Sequence, residues 1–238
     1  MTGKTHRTGG MLCCFIGYSI LQQKGLLIGN VSPIQQLIVM YPFALYGSVL
    51  PDIDHNKKSN PCKDVVSTGI NRVLHITTPA REAKEKVSGK EVPNKPFDLK
   101  NTFDARHRSW QTHSDLFLGL FIYLFFSLLS VGKITGDVIL ARTWIMGIII
   151  GVISHYILDM LTPEGIWSLL FVISNKIFKK AKVKIKLPEK VHLVPDSKFF
   201  ATDGPWEHLV NKLLWGANCI YLAVLIYNMM PYKLTFNL

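Results

Sequence analysis

Acidic residues are scarce in this 238-residue chain: 16 Asp and Glu stand against 27 Lys and Arg, for a formal net charge of +11. Charge of both signs together reaches only 18%, while apolar residues make up 48%. A soluble basic protein of this size normally carries more charge, and a disordered basic tail carries fewer apolar residues. What remains is a small membrane protein with basic surface loops, in one domain by length and two at most. No two of the four cysteines, Cys13, Cys14, Cys62 and Cys219, are spaced as Cys-x-x-Cys, which excludes a zinc ribbon and a thioredoxin-like motif. Adjacent Cys13 and Cys14 do not readily bridge each other, so a disulfide scaffold is not expected and a reducing compartment fits. Gly-x-Gly-x-x-Gly, the Walker A loop and the nucleophile elbow are all missing, as are internal repeats and low-complexity tracts.

Three long apolar runs are present. Leu116 to Val131 and Leu213 to Met230 contain no charge, and Thr143 to Leu161 is interrupted only by His155 and Asp159. Each approaches the roughly 20 residues that cross a bilayer. Two weaker segments precede them: Met11 to Ile28, with Gln22, Gln23 and Lys24, and Pro33 to Leu50, with Gln35, Gln36 and Pro42. These either span or form a shallow hairpin against the stronger helices. Ile166 to Ser174 is too short to span and reads as an interfacial or re-entrant piece. Lys4 and Arg7 precede an apolar stretch as in a signal peptide, but no clear small-x-small site follows, so the segment is expected to be retained. The expected fold is an all-α polytopic membrane bundle of about five transmembrane or membrane-embedded helices. It forms a single domain over 1–238, with a polar cytoplasmic insertion at 56–106 and a basic cytoplasmic loop at 175–212.

Residues 1–10, 51–112 and 175–212 hold 23 of the 27 basic residues. Positive-inside counting puts all three stretches in the cytoplasm. Five crossings satisfy this, with the N-terminus inside and reversals near 30, 50, 136 and 162. The basic runs lack interleaved aromatics and any nucleic-acid-binding signature, so they read as topology and lipid attraction, and no nucleic-acid partner is expected. The Lys176–Lys190 run alternates Lys with Val, Ile and Leu, as a strand-like or amphipathic segment on the membrane surface would.

With that orientation the histidines acquire a pattern. His6 precedes the first apolar segment, and Asp52, Asp54 and His55 follow the second. His107 and His113 precede the third, while His155 and Asp159 lie in the inner half of the fourth. All fall at predicted cytoplasmic ends. His155 and Asp159, four apart, share one helix face, and ionisable groups inside a crossing face the bundle interior. They form either a hydrogen-bonded packing pair or two ligands of one ion. Asp52-x-Asp54-His55 lacks the Gly and downstream Glu of an EF-hand, which excludes that type of calcium loop. Mixed His and carboxylate ligands suit zinc first, and manganese or iron, as one or two divalent ions. Thr112 and Asp115 stand at capping-box spacing at the start of the third long run.

Several blocks together resemble the YdjM-like family of inner-membrane proteins, regarded as metal-dependent hydrolases. They are Thr5-His6 with Gly10, Leu50-Pro51-Asp52-Ile53-Asp54-His55, and His107-Arg108 followed by Thr112-His113-Ser114. Gly151-x-x-x-His155-x-x-x-Asp159-x-x-Thr162-x-x-Gly165 and a weaker Thr202 to Glu207 block complete the set. Two departures stand out. Ser109, Trp110 and Gln111 separate the third block's halves by one residue more than usual, and the insertion between Asp54 and His107 is long.

The resemblance implies a hydrolase in the inner (plasma) membrane. His6, Asp52, His107, His113, His155 and Asp159 would be its metal ligands. Asp54, His55 or Glu207 would be the general base or support the ligands, and Arg108 would contact phosphate through its planar fork. The expected partners are the bilayer and an anionic membrane-associated substrate, a phosphoester or lipid-linked compound. The alternative is a non-catalytic membrane protein whose His/Asp cluster holds a structural metal or handles metal ions or protons. The outer halves of the apolar segments carry no such cluster, which disfavours transport.

Overall fold

A computed structural model describes residues 1–26, 32–54, 112–131, 138–188, 190–195, 199 and 202–229; of Asp54 only the backbone is described. The elements run in the order α1 (Gly3–Gln23), α2 (Pro33–Gly47), a 3-10 segment (Leu50–Asp54), α3 (Asp115–Val131), α4 (Val138–Met160), β1 (Ile166–Trp167), α5 (Leu169–Lys180), β2 (Lys190–Val191) and α6 (Pro205–Met229). β1 and β2 pair antiparallel, Ile166 opposite Val191. The described chain is therefore mostly helical, with a single two-stranded ribbon.

α4 is the central helix, packed against α1, α2, α3 and β1. Its crossing with α2 is unusually close, and small residues make it so. A Cβ added at Gly151 would overlap the carbonyl oxygen of Ala44 and crowd the Ser48 amide, and one at Gly147 would meet Met40 O. Gly147-x-x-x-Gly151 thus lets two backbones touch where dispersion and close packing, rather than water exclusion, hold helices together. α2 starts from a full capping box: Ser32 Oγ accepts the Gln35 amide, and the Gln35 side chain accepts the Ser32 amide. α1 packs against both helices through Cys14, Phe15 and Tyr18, which join Leu37, Met40 and Ala44 in one cluster. α6 lies along α1, tied by Asn218 Nδ2 donating to Thr8 O at 3.0 Å.

Outward faces are apolar instead of polar. Leu116, Leu120 and Leu124 on α3, and Leu213, Ile220 and Val224 on α6, are all at least half exposed. A belt of this kind marks a surface that contacts something other than water, and lipid is the natural neighbour. Among the described residues, two helices are long and apolar enough to cross a membrane, Arg142–Met160 in α4 and Pro205–Asn228 in α6. The expected number of about five crossings is not established by these elements. α2 has 15 residues, a length of about 22 Å against a hydrocarbon core of about 30 Å. α1 has the length, but its first turns, Lys4 to Gly10, are polar because Thr5, His6 and Thr8 are buried inside the protein.

Candidate metal centre

Four chain segments meet at the C-terminal end of α4. His155 and Asp159 project from it on the stripe that begins at Gly151. The close α2–α4 crossing brings the end of α2 to His155, whose Nδ1 lies 2.8 Å from Ser48 O. A carbonyl can only accept, so Nδ1 carries the proton and Nε2 presents a lone pair. The same bond satisfies a carbonyl at the C-terminus of α2. Pro51 and the 3-10 turn then carry Asp52 inward, where it is 3% exposed. His113 arrives just before α3, with Nδ1 held 2.9 Å from Thr112 Oγ1 and its carbonyl accepting the Trp167 amide at 2.8 Å. Tyr156 Oη donates to Thr112 O at 2.6 Å, which ties that loop to α4.

The donor atoms lie close together. His155 Nε2 is 3.2 Å from His113 Nε2 and 3.2 Å from Asp159 Oδ2. His113 Nε2 is 3.5 Å from Asp159 Oδ2 and 3.4 Å from Asp52 Oδ1, and His155 Nε2 is 3.8 Å from Asp52 Oδ1. A tetrahedron with metal–ligand bonds of zinc length has edges of about 3.4 Å. Five edges of the figure defined by two imidazole nitrogens and two carboxylate oxygens therefore have the size a single ion requires. The side chains are 0–4% exposed. A buried carboxylate costs several kcal/mol unless a positive charge or hydrogen-bond donors stand beside it. Burial alone would push the Asp52 carboxyl up, but the facing imidazoles of His155, His113 and His6 outweigh it and hold the group below the usual carboxylate range.

His6 completes the cluster from α1. Its ring stacks on His155 with centroids 3.8 Å apart, and its Nε2 lies 3.4 Å from Asp159 Oδ1. Neither ring nitrogen of His6 makes a hydrogen bond with a described residue, although the ring is fully buried. The Met1 amino group lies 3.0 Å from the same Asp159 oxygen. Asp159 thus offers Oδ2 to His113 and His155 and Oδ1 to His6. Two overlapping groups could each hold a metal ion, His6–His155–Asp159 and Asp52–His113–His155.

The remaining sequence-predicted residues fare differently. Glu207 stands beside the cluster, not in it. Its Oε1 accepts from Thr5 Oγ1 (2.6 Å), Thr2 Oγ1 (2.7 Å) and the Thr2 amide, and its Oε2 from the Asp203 amide (2.7 Å). Thr2 is the N-cap of α1 but does not cap it with its own side chain. Glu207 accepts the amide of that N-cap residue from α6, where a negative charge also suits the helix dipole. Four donors already engage that carboxylate, which makes it an anchor and a poor candidate for the general base. His55, His107 and Arg108 lie outside the described residues, as does the 56–106 insertion, and the Asp54 side chain is not described.

Sequence reasoning missed the supports. The N-cap of α3 is Ser114, which accepts the Phe117 amide at 3.1 Å, and Thr112 holds His113 instead. Thr162 is explained by Asp159: its hydroxyl and amide both donate to the Asp159 carbonyl at the end of α4. Gly165 sits at φ 57°, a left-handed turn into β1 that disfavours any side chain. A hollow of about 700 Å³ near Gln22, Gln23, Ile34 and Asn228 carries no His, acid or base in its lining and takes no part in this chemistry.

Fold and site together define a membrane-type helical protein with a buried His/Asp centre able to hold a metal ion. The model of the YdjM inner membrane protein family matches residues 1–232, and the chain belongs to that family. No curated protein and no solved structure matches it. The family and the two long apolar helices agree on a membrane location.

Proposed function

We propose that this protein is a multi-pass inner-membrane enzyme, a metal-dependent hydrolase with its N-terminus and centre at the cytoplasmic face. Its substrate would be a phosphoester or lipid-linked compound. The observation that supports the reading is the convergence of His113 Nε2, His155 Nε2, Asp52 Oδ1 and Asp159 Oδ2 within 3.2–3.8 Å of one another along five edges. Such a mixed nitrogen and oxygen set suits zinc, manganese or iron. When bound, the ion would supply Lewis acidity and lower the pKa of water at an open position. The chain's own part is to aim the donors. Ser48 O sets the His155 tautomer, Thr112 orients His113, and Thr162 secures the helix end that carries Asp159. His6 and the second oxygen of Asp159 would serve a second ion or the substrate side of the first.

One observation favours a second reading. The donor side chains are 0–4% exposed, and closure by protein ligands is the habit of structural sites, whereas catalytic sites keep a position open. Metal analysis of the purified protein, with His155→Ala and Asp159→Ala beside it, tests the site itself: no bound metal in the parent protein would sink both readings. A screen of phosphodiester and lipid-phosphate substrates with added zinc and manganese separates them. Turnover lost in both variants supports the hydrolase. Bound metal whose removal lowers Tm, with no turnover on any substrate, supports the structural ion.

A further inference from the structure

The metal centre does not use the segment that follows it, 169–188, and that segment is built as a distinct device. Ser168 caps α5, and Asp115 of α3 reaches across to the same helix start, accepting from Ser168 Oγ at 2.8 Å and the Leu169 amide at 2.9 Å. After Lys180 the chain turns back, with Lys182 at φ 58°. Asn175 then clasps the returning segment: its Nδ2 donates to Leu187 O at 2.9 Å, and its Oδ1 accepts the Leu187 amide at 2.7 Å. The result is a hairpin of a helix and a returning irregular segment, fixed at both ends.

Two chemistries share its surface. Leu170, Ile173 and Ile177, at helical spacing, are 64%, 48% and 59% exposed, and Val183 and Ile185 on the returning segment are exposed as well. Between residues 169 and 188 the sequence holds Lys176, Lys179, Lys180, Lys182, Lys184 and Lys186 and no acidic residue. Lys176, Lys179, Lys184 and Lys186, with Val172 and Asn175, line a hollow of about 470 Å³ between the helix and the returning segment. An apolar stripe bordered by lysines is at rest where its apolar side meets acyl chains and its amines reach the phosphate layer.

We propose that the 169–188 hairpin is a binding site for the headgroup of anionic phospholipid. The phosphate sits among Lys176, Lys179, Lys184 and Lys186, and the acyl chains lie along Leu170, Ile173 and Ile177. The absence of acid within 169–188 leaves nothing there to receive the cationic part of a zwitterionic headgroup. The stripe selects lipid over RNA or an acidic peptide, neither of which covers three outward aliphatic side chains. The inference stands whether or not the metal centre is catalytic. It does join the two regions, because Asp115, which closes the start of α5, is two residues from His113.

The test uses the full purified chain in neutral detergent micelles containing equal amounts of phosphatidylglycerol and phosphatidylcholine, with retained lipid counted after repurification. The parent protein retains phosphatidylglycerol in several-fold excess. The combined variant Lys176→Gln/Lys179→Gln/Lys184→Gln/Lys186→Gln loses that excess and retains the two lipids about equally, with metal content and Tm unchanged. Should that variant fail to fold, Lys184→Gln/Lys186→Gln on the exposed returning segment gives a smaller loss in the same direction. Equal retention of the two lipids by the parent protein, or an unchanged excess in a folded variant, overturns the proposal. So does displacement of phosphatidylglycerol by a short single-stranded RNA or a polyglutamate peptide at micromolar concentration.

Discussion

α4 and α6 are nearly equal in hydropathy, yet they do opposite work. In α4, 67% of the membrane-length window is buried, against 17% in α6. α4 spends its small residues on contact: Gly147 and Gly151 face α2, with no room for a methyl group. α6 has Gly216, where a Cβ would find nothing within 4 Å. His155 and Asp159 of α4 face inward to other helices, and the adjoining ends of α4, α2 and the α3 entry carry the donor atoms. Hydropathy measures how well a helix tolerates lipid. It does not say whether lipid or protein surrounds it.

The largest effect expected from this contrast is at Asp159. Asp159→Asn keeps the shape but removes the charge and one acceptor oxygen, and it should weaken metal binding by more than about 100-fold, read by chelator competition. Metal content unchanged in that variant would remove Asp159 from the ligand set. Acid should act next most strongly. Protons compete with the ion for imidazole and carboxylate donors alike, so lowering the pH from about 7.5 to about 5 should release metal. Unchanged metal content at the lower pH would overturn this.

Packing effects are smaller. Gly151→Ala should push α2 away, lengthen the Ser48 O–His155 bond and cost about 1–3 kcal/mol, with weaker metal binding. Gly216→Ala should be neutral or slightly stabilising, by at most about 1 kcal/mol. Equal Tm changes for the two glycines would break the contrast between central and peripheral helix. Smallest of all is the pair Val152→Ala and Ile220→Ala. Val152 is fully buried and Ile220 is 70% exposed. Thermal unfolding in a fixed detergent should show a loss of about 2 kcal/mol for the first and less than about 0.5 for the second.

Much of the cluster was legible because imidazoles and carboxylates announce themselves against an apolar background. His155 and Asp159 interrupt an otherwise uncharged run, and helical periodicity puts them on one face. Asp52 and His113 stand out as an acid and an imidazole at the ends of apolar segments. The supports were not legible. Ser48 contributes only its carbonyl, a group every residue has. Thr112 and Ser114 are both plausible caps by spacing, and only the start of α3 decides that Ser114 takes the role while Thr112 holds His113. Asp115 meets α5 more than 50 positions along the chain, and Glu207 meets Thr2 more than 200 positions away. Such long-range partners leave no periodic trace. The number of crossings is not legible for a related reason. A short or partly polar helix sheltered by protein looks, in one dimension, like a weak span.

By itself, the sequence determined that this is a helical membrane-type protein with a basic charge balance and a set of imidazoles and carboxylates at its helix ends. Apolar length, charge asymmetry and the 3.6-residue period are local properties, and local properties survive in one dimension. Only the tertiary structure decided that His6, Asp52, His113, His155 and Asp159 form one buried cluster, that Glu207 braces α1, and that 169–188 closes on itself through Asn175. Those outcomes depend on how near two backbones can come and which carbonyl waits at the end of the neighbouring helix. Packing alone settles such distances.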